Sequence, residues 1–143
     1  MRPSRKTLLL SVLLLVLNLW FVKELLRAEF VAHMFSIEGA YIGLARYAAA
    51  NWRDLTWFPL WYGGIPYQNT YLPLLHLAVA AVSKLLGLAP GLAYHATTAV
   101  LYCLGPVALF LFAKEISKSR TYSFAAALLY SLTSPSLVLI PVV

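Results

Sequence analysis

From residue 92 to residue 113 the chain carries no Asp, Glu, Lys or Arg. A run of that length meets the ~20 apolar residues that a helix needs to cross a bilayer, and a helix satisfies its backbone groups internally where no water can. The whole chain shares this character. Of its 143 residues 62% are hydrophobic and 11% charged, with a mean hydropathy of +0.78, against roughly 25% charged residues in soluble domains. These features predict an all-α integral membrane protein. The formal charge of +6 invites comparison with nucleic-acid binders, but the cations neither gather on one amphipathic face nor alternate with polar readout residues, so no nucleic-acid partner is expected. Cys103, the lone cysteine, lies inside the apolar run and reads as a packing residue.

Arg2, Arg5 and Lys6 precede an apolar run from residue 7 to 22, the pattern of a signal peptide or of a first span. The continuation LWFVKELLRAEF is bulky and charged where cleavage would need small residues, which favours an uncleaved anchor over residues 7–26, with Lys23 and Arg27 snorkelling at its end. Asn18 within it is expected to face a neighbouring helix. Residues 38–52 place Tyr41, Leu44, Ala45, Ala48 and Ala49 at helical spacing, with Ser36 and Glu38 suited to the start. That helix is polar enough to lie on the membrane surface. Pro59, Gly63-Gly64, Pro66 and Pro73 then break any continuous helix, among aromatics suited to the headgroup level. Residues 74–86 are apolar but bounded by Pro73 and Gly87, so they make only ~20 Å of helix against a ~30 Å hydrocarbon core. The segments 92–113 and 122–141 follow as spans, joined by a turn at 114–121. The chain closes on SPSLVLIPVV without a polar tail, which reads as the amino-terminal part of a longer polypeptide.

Charge placement selects a topology. The amino terminus holds Arg2, Arg5 and Lys6, and the 114–121 turn holds Lys114, Lys118 and Arg120 against Glu115. Between residues 23 and 73 Lys23, Arg27, Arg46 and Arg53 are offset by Glu24, Glu29, Glu38 and Asp54. If 74–86 does not span, both basic stretches fall in the cytoplasm and the neutral loop falls outside. The expectation is one polytopic domain in the cell membrane with a cytoplasmic amino terminus. It has three transmembrane helices, plus two juxtamembrane or re-entrant helices in an external loop over 27–91.

An acid opening a helix after the first span, then WFPLWYGGIPYQNTYLPL from Trp57 through Leu74, a short helix, and two spans joined by a basic turn: this order resembles the amino-terminal part of GT-C membrane glycosyltransferases. That group includes the catalytic subunits of oligosaccharyltransferases and the protein mannosyltransferase-like enzymes. The resemblance covers nearly the whole chain. It implies an external loop with two juxtamembrane helices, a polyprenyl-phosphate-linked sugar donor, and an acid in that loop that binds a divalent cation (Mg or Mn) or acts directly in catalysis. Oligosaccharyltransferases carry Asp where Glu38 aligns, and the mannosyltransferase relatives often carry paired acids.

Such a transfer needs a carboxylate to take a proton from the acceptor and positive charge to meet the departing phosphate. Glu38 is the candidate carboxylate, and with Asp54 a candidate metal ligand. Arg46 and Arg53 are candidates for the phosphate, and Trp61, Tyr71 and His76 for other substrate contacts. Each has a plainer reading: helix cap, turn acid, lipid-headgroup contact, interfacial anchor or structural histidine. His33 and His95 lack acidic neighbours at metal-ligand spacing, which argues against zinc. The competing class is a non-enzymatic membrane scaffold, flippase component or transporter fragment, with membrane lipids as its partners. The acceptor is not identified by these residues, and the fragment alone is expected to be inactive.

Overall fold

A computed structural model describes residues 4–29 and 36–133. It is predominantly helical: α1 (Arg5–Phe21), a 3-10 turn (Lys23–Leu26), α2 (Ser36–Ala50), strands β1 (Trp57–Phe58) and β2 (Ile65–Pro66), a second 3-10 turn (Tyr67–Asn69), α3 (Pro73–Leu86), α4 (Pro90–Ser117) and α5 (Arg120–Thr133). The chain divides into two compact units, one holding residues up to Leu26 and from Thr98 onward, the other Arg27–Thr97.

Among the described residues one helix is long and apolar enough to cross a membrane, α4 with its 28 residues. The expectation of three such helices is not met there. The helix expected over 7–26 stops at Phe21, where the backbone ladder tightens into a 3-10 turn with the Leu25 amide on the Val22 carbonyl three residues back, leaving α1 at 17 residues. That makes ~25 Å of helix. α5 runs 14 residues to Thr133, and the rest of the expected 122–141 span lies outside the described residues, as does His33. α4 is longer than the expected 92–113 at both ends, so the broad turn at 114–121 shrinks to Lys118 and Ser119.

In the unit built from α1, α5 and the later part of α4, Ser4 caps α1 by accepting the Thr7 amide. α5 buries Ser123, Ala127 and Ser131, spaced four apart on one stripe, and such small residues let helices approach closely. Leu14 and Phe110 pack with Ala127, and Val22 packs with Ala99 and Cys103. Asn18, wholly buried, donates from Nδ2 to the Leu14 carbonyl at 2.8 Å and to Ser131 Oγ at 2.9 Å. Leu8, Leu9, Val12, Leu13, Val16 and Trp20 of α1 remain exposed, an apolar surface suited to lipid.

In the other unit α2 packs along α3 through small side chains: Ala45 meets Val79 and Ala93, while Ala48 and Leu44 join Ala80, Phe58 and Tyr67. Leu72, in the left-handed region, turns the chain into Pro73 at the first position of α3, and Gly87 (φ 65°) ends it. Lys84 donates to the Ala49 carbonyl at 3.2 Å, placing a cation on the negative end of α2. Between these helices β1 and β2 form an antiparallel hairpin with Trp57 opposite Pro66 and Phe58 opposite Ile65. The Tyr47 hydroxyl ties it to α2 by donating to the Trp57 carbonyl at 2.6 Å. Gly64 (φ 110°) lies so close under the Trp57 indole that a Cβ would stand 2.3 Å from Nε1.

Candidate functional site

Glu38 sits in the first turn of α2, where the helix end favours a negative charge. The capping role read for Ser36 rests on a side chain outside the described set. Glu38 Oε1 lies 2.5 Å from Nε2 of His95, and the other ring nitrogen, Nδ1, donates to the carbonyl of Ala28 at 2.8 Å. The His95 side chain is 4% exposed and that of Glu38 18%. The imidazole is therefore fixed at both nitrogens, while the carboxylate keeps an edge in contact with solvent. Glu38 makes no other hydrogen bond among the described residues, and none of them engages Oε2.

Sequence spacing hides this pair, since 57 positions separate its members, and the fold brings to His95 an acid that lies far from metal-ligand spacing. The device that brings it together is Gly91. This residue stands one helical turn before His95 on α4, and a Cβ there would come within 2.5 Å of the Glu29 carbonyl oxygen. With only hydrogen at that position the 28–29 backbone crosses against α4, and the Ala28 carbonyl reaches His95. The glycine is a close-approach site inside the helix.

Aromatic rings surround the pair. Tyr94 lies beside His95 with ring centroids 5.7 Å apart, and Tyr41, one turn after Glu38, contacts Tyr94 at 6.5 Å, His76 at 5.1 Å and Tyr71 at 6.1 Å. Tyr41 and Tyr71 also line a cavity of about 220 Å³ with Phe58, Trp61, Asn69 and Thr70 among its walls. Trp61 and Tyr71, singled out separately in the sequence, thus share one cavity. Tyr67 packs edge-on against Phe58 of that wall, and burial pushes its hydroxyl pKa up to about 12.

The other candidates are dispersed. His76 is wholly buried and donates from Nε2 to the Tyr71 carbonyl at 2.7 Å, which braces the entry to α3. Burial holds its imidazole below the usual histidine range, against the opposing effect of that hydrogen bond. Arg46 is exposed on α2, ~12 Å along the helix axis from Glu38, and Arg53 is exposed beyond the helix end. Neither forms an ion pair among the described residues. Asp54 accepts from the hydroxyl of Thr56 at 2.7 Å and from its amide at 3.1 Å, and these bonds lower its carboxyl below the usual range. It follows the far end of α2, so Asp54 and Glu38 are not brought together. No group of three or more potential metal-ligating side chains occurs among the described residues.

Comparison of the chain with protein-family models, characterised proteins and solved structures finds no match in any of the three.

Proposed function

We propose that the chain is part of a GT-C-like membrane glycosyltransferase that moves a sugar from a polyprenyl-phosphate-linked donor to an acceptor at the external membrane face. The observation that carries this reading is Glu38, a partly exposed carboxylate gripped through one oxygen by a buried histidine, its other oxygen without a partner among the described residues. Oε2 takes the proton from an acceptor hydroxyl or amide as the acceptor atom bonds to the anomeric carbon. The bond from that carbon to the phosphate oxygen breaks, and its electron pair leaves on the phosphate. Arg46 and Arg53, exposed and unpaired among the described residues, are suited to meet that charge. The cavity walled by Trp61 and Tyr71 offers aromatic faces to the apolar side of a sugar ring.

The membrane setting belongs to the same proposal: a multi-pass protein of the cell membrane with α4 as one span, 7–26 and 122–141 as the others, and a cytoplasmic amino terminus. A divalent cation, Mg²⁺ or Mn²⁺, would supply charge to the departing phosphate. The described residues do not by themselves fit one, because Glu38 has a single free oxygen and Asp54 stands beyond the opposite end of α2. The proton step rests on Glu38 alone.

The test uses membranes containing the full protein and undecaprenyl-phosphate-linked sugars radiolabelled in the sugar. Loss of label from the lipid is expected with the native chain and only background loss with Glu38→Gln at equal folded protein. Native turnover in that variant removes Glu38 from the mechanism, and retention of label on every donor overturns the transferase reading. Single cysteines at 54 and 118, on a Cys103→Ala background, are expected to label from outside and inside respectively; the reverse pattern overturns the topology.

A further inference from the structure

We propose that His95 is the positioning residue of Glu38, holding Oε1 so that Oε2 is the one proton-accepting atom presented to the acceptor. This rests on the transferase reading above, and it adds a residue that neither the spacing nor the resemblance singled out. A carbonyl oxygen only accepts, so the 2.8 Å contact with Ala28 requires the proton to sit on Nδ1 of His95. Nε2 bonds Oε1 at 2.5 Å, and the proposed base requires that Nε2 be the donor, the second N–H of an imidazolium, so that Glu38 stays ionised. A carboxylate turns freely about its last torsion, which is broad and two-fold. Tied to a ring that is itself anchored to backbone, this one has a single orientation. The ring cannot follow the carboxylate outward, because it is buried and the glycine-dependent crossing of residues 28–29 holds its far nitrogen. Among the described residues the rings beside the pair are those of Tyr94 and, one helical turn along α2, Tyr41, and the Glu29 side chain lies against Gly91, one turn before His95.

Histidine-selective ¹⁵N labelling of the full protein in nanodiscs tests the pairing apart from turnover. Glu38→Gln is expected to shift the Nε2 resonance of His95, assigned by its loss in His95→Gln, while the Nδ1 resonance stays in place. An unmoved Nε2 resonance overturns the pairing whatever the turnover. In the labelled-donor assay His95→Ala is expected to lower kcat about a hundred-fold, the effect of misplacing a catalytic group by ~1 Å, with KM for the donor unchanged. His95→Gln, whose amide can still donate to Oε1, is expected to recover part of that loss. Equal turnover in both His95 variants and the native chain overturns the positioning role. A shifted Nε2 resonance together with full turnover in Glu38→Gln overturns the assignment of Glu38 as base instead, which separates failure of the function from failure of the pair.

Discussion

The two compact units each bury a polar side chain that crosses between helices, and they differ in what is left over. In one, Asn18 bridges to Ser131 with both partners wholly buried. Its neutral amide donates twice, and Oδ1 has no partner among the described residues. In the other, Glu38 meets His95 with one partner buried and the other still touching solvent. A neutral, enclosed contact between small-residue helices holds helices together. A charged contact with one open oxygen has a group available for chemistry, and a carboxylate so placed needs a partner to offset its desolvation. The difference separates a packing device from a candidate site, although both look alike as lone polar residues in apolar sequence.

The largest effect should separate the two contacts by function. Glu38→Gln is expected to cut donor turnover by about 10²–10⁴-fold, the contribution of a positioned general base, whereas Asn18→Ala leaves turnover of the folded protein unchanged. Comparable losses in both would erase the distinction drawn here. Next comes Gly91→Ala. The added methyl must displace the Glu29 carbonyl, a backbone atom that cannot swing aside, and overpacking of this kind costs about 1–3 kcal/mol. Thermal unfolding in detergent should show the loss, and the His95 Nδ1 resonance should move with it. Asn18→Ala should then cost about 0.6–1.7 kcal/mol, the range for hydrogen bonds between membrane helices, read from the same unfolding curves. Ser131→Ala should be smaller, since Asn18 keeps its bond to the Leu14 carbonyl.

The smallest effect concerns the second buried histidine. His76 has one nitrogen satisfied by a carbonyl and the other, Nδ1, buried without a partner among the described residues. Its folded pKa lies below the unfolded value near 6.5, so the unfolded chain binds more protons below neutrality. Stability from this group is fully present above about pH 6.5 and is lost as pH falls through the folded value. Melting temperatures measured from pH 7.5 downward should fall more steeply in the native protein than in His76→Gln. Parallel curves would mean that His76 titrates normally.

Much of the helical order was legible in the residues. Apolar periodicity with Pro73 and Gly87 as brackets placed α3 within one residue of its observed start, and α2 was displaced by two residues at each end. The hairpin was visible only as a break, because two-residue strands are too short for a period-2 pattern. The apolar content of 7–26 suggested one continuous helix, but its last four residues, Lys23–Leu26, form a 3-10 turn, a change of backbone ladder that apolar content does not record.

By itself the sequence determined the helical class of this protein and the one helix among the described residues that is long and apolar enough to cross a membrane, because apolar content and its uninterrupted length are properties of the chain alone. It also marked Glu38, since an acid in a first turn is a local signal. Only the tertiary structure decided what Glu38 faces. Two side chains 57 positions apart meet because a glycine lets backbone cross a helix, and no local periodicity records which helix will be crossed.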